Sequence, residues 1–427
     1  MLYIPFAFLQ KIFSVENINF FTLAIVFYSA LTNSVIFLLL KKLFNNARAA
    51  LLISALIAIG SMIWPYANIG MEYQATLFLA LTLFALVCYE QSGKGLIWVG
   101  LSLGLLTTAK SYDILLFIPA AAYVLWILKQ KGQIKKIFNF AFLAAFFLPT
   151  FLLFGLTALG NWLVYKSFAG TYSLSAEFQI TAWWEGFYGL FFSIGKSMFT
   201  FNPLLIITVL FWPKFLKEHK KPAYFILLNL FLLLIVNAPL IYWTDETWGP
   251  RKLLPIIPLL HLPLICLLPQ LKKKLLAMVF VIFVAGAAYV QFLGAAYFYG
   301  TQLKFLKENN FNVINGTRYV PELAHPVLYN KFFISYLNRL IMGTGKNFNY
   351  YEDDWFKWEG GVPFKLFPKT PISLRKYEKP FMLWLRETEN YNSGQIAAKK
   401  KLFLAIDAII VLSLFYSIIR LYQKRPE

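Results

Sequence analysis

Acidic residues, cysteine and histidine are all scarce in this 427-residue chain, which has 20 Asp and Glu against 40 Lys and Arg, two cysteines and three histidines. Cys88 and Cys266 both fall inside apolar runs, where they read as small packing residues rather than as a bridge or a metal pair. His219, His261 and His325 are far apart and lack ligand-like spacing, which argues against a zinc site. Charged residues of any kind make up 14% of the chain, against 59% hydrophobic and 19% aromatic, with a mean hydropathy of +0.61. That is too little polar surface to coat a soluble globule, so lipid must be the solvent for most of the molecule. The formal charge of +20 does not signal a nucleic-acid partner, because the lysines lie between apolar runs rather than along one soluble face.

What is present is a series of apolar runs at 20–40, 50–64, 73–90, 96–109, 113–128, 137–158, 203–213, 222–242, 252–270, 275–298 and 402–419. They predict an all-α, polytopic membrane protein with about eleven spans. Every second loop is lysine-rich: Lys41, Lys42 and Arg48, then Lys94, Lys129 to Lys136, Lys214 to Lys221, Lys272 to Lys274, and the tail with Arg420, Lys424 and Arg425. Positive charge marks cytoplasmic loops, so the intervening ones face outward. These hold Trp64-Pro65-Tyr66, Glu72, Lys110, Asp113, residues 159–202, the stretch Trp243 to Lys252 and the long segment 299–401. Three regions follow: a transmembrane domain over 1–298, an extracytoplasmic soluble or cap segment over 299–401, and a last helix with a cytoplasmic tail over 402–427. The aromatic cluster Tyr350, Tyr351, Trp355, Phe356 and Trp358 suggests that the cap packs on something, while Lys399, Lys400 and Lys401 depart from the alternation. Met1 to Phe13 carries no basic leader and is short for a span, so it reads either as an interfacial helix or as the sign of an initial helix and loop missing upstream; the second is the expectation.

Short outward loops ordinarily avoid basic residues, so Lys110, Lys166, Lys196, Arg251 and Lys252 call for an anion at the membrane edge. A phosphate suits them: a guanidinium fork with ammonium groups around it, at headgroup depth. Arg251, Lys110, Lys196 and Lys252 are therefore the candidate phosphate ligands. The same loops hold Glu72, Asp113, Glu177, Glu185, Asp245 and Glu246, which could bind a sugar, hold a divalent cation or neutralise the lysines. No cofactor is demanded by the pattern, and a divalent cation is compatible with it. The densest group is Tyr242 to Lys252, where Trp243 and Trp248 offer indole faces to a sugar or acceptor, as Tyr66 does from the earlier loop, and Gly249-Pro250 can turn Arg251 back to the membrane plane. A second group runs from Gly189 to Pro203. Its Gly189 and Gly195 stand one position too far apart for a phosphate-cradling P-loop, and a broken or re-entrant helix carrying Lys196 is expected instead.

On these residues the chain resembles the GT-C superfamily of membrane glycosyltransferases, specifically phospholipid-carrier-dependent transferases related to protein O-mannosyltransferases and lipid A aminoarabinose transferases. The resemblance rests on Trp64-Pro65-Tyr66 with Glu72, Thr108-Ala109-Lys110, Gly189 to Pro203, and Trp248-Gly249-Pro250-Arg251. It implies a sugar donor on polyprenyl phosphate, transfer to an extracytoplasmic glycan, lipid or protein, and an integral location in a bacterial inner (plasma) membrane. Lys110 and Arg251 would match the family's basic residues near the donor phosphate. The family's usual acidic base lies in a first outer loop that has no counterpart here, so Glu72, Asp113, Asp245 and Glu246 stand as candidates by location alone. The competing readings are a transporter or flippase of a lipid-linked glycan, and a non-catalytic subunit. A transporter should carry ionisable groups at mid-bilayer, whereas apart from His261 and Asp407 the charges here collect at membrane edges.

Overall fold

The structure, a computed structural model, describes residues 20–69, 73–168, 183–240, 243, 247–297, 299–309, 311, 318 and 320–342. Glu72, Asp245, Glu246, the aromatic cluster 350–358, the run 402–419 and the N-terminal residues lie outside the described residues. Within them the chain is helical from end to end. The principal helices are α1 (Phe20–Phe44), α2 (Ala47–Gly60), α3 (Ile63–Ile69), α4 (Tyr73–Ser92), α5 (Leu96–Ala109), α6 (Phe117–Gln130), α7 (Phe140–Tyr165), α8 (Trp183–Phe192), α9 (Lys220–Asn237), α10 (Lys274–Ala296), α11 (Gly300–Glu308) and α12 (His325–Met342).

Among the described residues six helices are long and apolar enough to cross a membrane: Ala24–Phe44, Tyr73–Ser92, Asp113–Gln130, Phe140–Tyr165, Lys220–Asn237 and Lys274–Ala296. Three further apolar helices, Ala47–Gly60, Leu96–Ala109 and Ile257–Lys272, are shorter. At 1.5 Å per residue the 14-residue α2 reaches about 21 Å, less than the ~30 Å hydrocarbon core. The physical reason for the shortfall is local. Ser61 ends α2, Asn202-Pro203 interrupts the 198–209 run, and Pro263 and Pro269 hold 262–272 in a 3-10 helix by removing backbone donors.

Glycines set the tightest crossing. Among the described residues, helices α5 and α7 make the most extensive contact. A Cβ at Gly104 would stand 2.8 Å from the Pro149 carbonyl oxygen, and one at Gly100 would collide with the Phe146 carbonyl. The small-xxx-small face of α5 thus admits the α7 backbone, and the Thr150 hydroxyl donates to the Gly100 carbonyl oxygen at 2.9 Å across the contact. The outer face of α7 is left exposed, with Leu148, Phe151, Leu152, Leu163 and Val164 all more than half exposed, as suits a helix facing acyl chains.

The bundle has two ends of different chemistry. At one, the lysine-rich loops meet: the Glu90 carboxylate accepts from the Lys221 ammonium and, at 2.7 Å, from the Tyr123 hydroxyl, while Lys131 Nζ donates to the Glu90 carbonyl oxygen at 2.7 Å. Phe44 packs edge-on against His219 there, ring centroids 4.4 Å apart. At the opposite end the loops that follow α2 and α8 and precede residues 257–272 come together. The lysine-rich segments around 44, 131 and 219–221 thus meet at one end, and the segments 61–66, 193–202 and 247–251 meet at the other.

Candidate functional site

The site is assembled around residues 243–251. Gly186 and Gly189 of α8 leave no side chain in the way, so the chain at Ala238 and the Trp243 indole rest directly on that helix; a Cβ at Gly189 would fall within the Trp243 ring. Gly294 on α10 does the same for Trp248. Gly249 adopts φ +60°, the left-handed conformation that glycine tolerates without strain, and this turn leads through Pro250 into the 3-10 turn Arg251–Leu253. Gly249 and Pro250 thus bend the chain immediately ahead of Arg251.

Two polar side chains hold the loop from below. The Tyr66 hydroxyl donates to the Trp248 carbonyl oxygen at 2.7 Å and lies 3.1 Å from the Thr247 hydroxyl. Lys196, whose side chain is wholly enclosed, donates from Nζ to the Thr247 carbonyl oxygen. The segment carrying Lys196 is a broken helix: α8 stops at Phe192, Ser193 begins a turn whose hydroxyl accepts from the Lys196 backbone N–H at 3.0 Å, and Ser197 caps a short helix Met198–Phe201. Asn202 then bridges to the end of α2, its Oδ1 accepting from the Met62 N–H at 3.0 Å while its Nδ2 donates to Met198 at 2.9 Å. Three segments that share only an inferred side in the sequence, 61–66, 193–202 and 247–251, are thereby one connected structure. Enclosing an ammonium costs several kcal/mol unless partners compensate, so the position of Lys196 is an expensive one to maintain.

Trp243 and Trp248, read from sequence as sugar-contacting, are both buried, 2% and 1% exposed. Protein groups cover their faces. Trp248 stacks on Tyr329 at 5.7 Å and meets Phe201 and His325 edge-on at 5.0 and 5.7 Å. Trp243 is covered by the Arg318 guanidinium, 5.0 Å from the ring centroid. Tyr66, the third such candidate, is also buried. Arg251, Lys252 and Lys110 are half-buried, and the Nε of Arg251 is itself enclosed.

Lys110 and Asp113 flank the start of a second turn. Lys110 ends α5 in an extended conformation, its N–H still bonded to Leu106, and the 3-10 helix Ser111–Leu116 begins after it. Asp113 is 1% exposed, and both its carboxylate oxygens lack a hydrogen-bond partner among the described residues. Turns Ser111–Leu116 and Arg251–Leu253 both pack against α9, which sets the two basic groups around one helix. The Lys110 charge offsets part of the cost of burying this carboxylate, and a hydroxyl donor would offset more of it.

Three contributors, Arg318, His325 and Tyr329, come from residues that sequence reasoning did not assign to the site. Arg318 pairs at 2.8 Å with Glu185 of α8, one of the outward acids, and His325 and Tyr329 of α12 pack on Trp248. His325 is fully enclosed; burial, and secondarily the Lys196 charge, push its imidazole well below the ordinary histidine range. Nothing in the sequence around Arg318 marks it, but Gly294 within an otherwise bulky helix end is a signal of close approach that could have pointed to Trp248. Among the described residues no group of three or more His, Cys, Asp or Glu is placed to hold a metal ion.

Compared with known proteins, residues 3–155, over a third of the chain, match the family described as dolichyl-phosphate-mannose-protein mannosyltransferase. The match supports the GT-C resemblance and points to a glycosyltransferase that takes its sugar from a lipid-linked donor. Trp64-Pro65-Tyr66, Glu72 and Thr108-Ala109-Lys110 lie within the matched part, whereas Gly189 to Pro203 and Trp248 to Arg251 lie beyond it. No curated protein and no solved structure gives a significant match.

Proposed function

We propose that the chain transfers a sugar from a polyprenyl-phosphate carrier to an acceptor hydroxyl on a glycan, lipid or protein outside the cytoplasm, at the end of the bundle opposite the lysine-rich loops. The observation that carries this reading is the junction of a matched with an unmatched segment: Tyr66, inside the family match, holds the carbonyl of Trp248 three residues before Arg251. In this reading Arg251, Lys252 and Lys110 meet the donor phosphate, and Lys196 adds its charge from beneath the loop. The acceptor oxygen attacks the anomeric carbon, the bond from that carbon to the phosphate oxygen breaks, and the lipid phosphate leaves with the electron pair. Cations fixed beside that oxygen stabilise the charge it gains, and a fixed field counts for more in a dry site than in water. A carboxylate takes the acceptor proton. Glu72, Asp113, Asp245 and Glu246 are the candidates. Asp113 is the one in the described structure, and its buried, unbonded carboxylate is suited to accept a hydroxyl. Trp243 and Trp248 serve by shaping the loop around these groups.

The test is steady-state transfer from a polyprenyl-phosphate sugar by the parent, Arg251→Ala and Lys110→Ala proteins in liposomes. Loss of two or more orders of magnitude in kcat/KM, with unchanged folded yield, is expected for Arg251→Ala. Equal transfer by mutant and parent contradicts the phosphate assignment.

A further inference from the structure

Resting on the transfer reading above, we infer that Arg318 and Glu185 form a latch that positions the 243–251 loop, so that a residue from beyond α10 is a positioning residue of the transfer site. Arg318 lies 8% exposed in the stretch between α11 and α12, more than 60 residues along the chain from the loop it serves. Two of its contacts are of different kinds. Its Nη1 donates to the Glu185 Oε1 at 2.8 Å, tying it to α8, and its guanidinium plane covers the Trp243 indole at 5.0 Å. A planar, delocalised cation serves both contacts together, where an ammonium satisfies only one well.

The consequence runs along the loop. Trp243 is pressed between Arg318 and the bare backbone of α8 at Gly189, and four residues later the Thr247 carbonyl receives the Lys196 ammonium from the turn that ends that same helix. Helix α8 and the turn after it therefore reach the loop twice, the helix at Trp243 and the turn through Lys196, and Arg318 fixes the first attachment. The Glu185 side chain is 43% exposed, so the ion pair with Arg318 itself contributes little to stability. Removing Arg318 uncovers the indole, however, and frees the loop to leave the position at which Lys196 meets it. The effect falls on the geometry of the site more than on the stability of the bundle.

Two readouts test the latch on the full chain in liposomes. Thr247 is 4% exposed, so in a Cys88→Ala, Cys266→Ala background a Thr247→Cys side chain should react slowly with a maleimide. Adding Arg318→Ala should accelerate labelling about ten-fold or more, Glu185→Gln by less, and Arg318→Lys by an intermediate factor. In the natural background the same three changes should lower kcat for sugar transfer in that order while moving donor KM less than about three-fold, and Glu185→Gln should add little to Arg318→Ala. Labelling and kinetics of Arg318→Ala that match the parent overturn the inference. If Arg318→Ala fails to fold, Glu185→Gln and Arg318→Lys decide by the same two measurements. A parent that labels slowly and an Arg318 variant that labels fast, with neither transferring sugar, sinks the transfer reading and leaves the latch standing.

Discussion

The two ends of the bundle use charge in opposite ways. At the lysine-rich end, Lys214 and Glu218 form an ion pair with both side chains more than two-fifths exposed, and even the tighter Lys221–Glu90 pair keeps 30% of the glutamate side chain in reach of solvent. Such pairs contribute little to stability, about 0–1 kcal/mol each, and their sequence meaning is topological. At the other end, Lys196 is fully enclosed, Arg318 nearly so, and the hydroxyl of Tyr66 is used on a main-chain carbonyl. A cation placed in water needs no special explanation, while one taken out of water beside a glycine turn has to be held there by structure. The difference teaches where to look for chemistry in a chain with many lysines: at the few that are enclosed.

Changing the enclosed cation should break this contrast most visibly. Lys196→Met keeps the side-chain length and removes the charge; we expect transfer to fall by about two orders of magnitude, measured as kcat/KM for a polyprenyl-phosphate sugar, since donors to developing charge are commonly worth that much. Tyr66→Phe deletes one hydroxyl that serves Trp248 and Thr247 and should cost roughly ten-fold in kcat with the protein still folded, a loss on the scale of one buried hydrogen bond. The contrast can also be sharpened by pH. His325 has its folded pKa pushed down, so the unfolded chain binds a proton before the folded one does. Its contribution to stability is complete above the unfolded value of about 6.5 and declines as pH falls below it. The melting temperature in detergent should therefore drop more steeply between pH 7 and pH 5 for the parent than for His325→Leu. The smallest effect is expected at the lysine-rich end, where Glu90→Gln should leave kcat/KM within about two-fold and lower stability by about 1 kcal/mol.

Much of the architecture was legible in the sequence, because lipid forces apolar runs to be long and charge to sit between them. The alternation of Lys41 to Arg48, Lys94 and Lys129 to Lys136 with quiet loops sorted the chain into two sides, and segments sorted together meet at each end. Span lengths were less legible. The run 252–270 is as apolar as a span, yet its prolines divide it into a short α-helix at Ile257–Leu260 and a 3-10 helix over Leu262–Lys272, and α2 stops at Ser61 short of the hydrocarbon thickness. Within the site, the turn at Gly249-Pro250 and the break around Lys196 followed from residue types. The partners did not. Lys196 bonds to a backbone carbonyl, and every residue has one, so no pattern names Thr247 as its acceptor. The indoles illustrate the same limit. Trp243 and Trp248 carry the chemistry of sugar stacking, but whether an aromatic face is offered or covered depends on residues as distant as Arg318 and Tyr329.

The most direct measurement is the fate of a radiolabelled polyprenyl-phosphate sugar given to the purified protein in sealed liposomes with a hydroxyl-bearing acceptor. The account predicts label on the acceptor, on the face opposite the lysine-rich loops, with Arg251→Ala near background and Glu90→Gln like the parent. Label that crosses the bilayer still joined to its lipid, with none on the acceptor, contradicts it and identifies a carrier of the lipid-linked sugar instead.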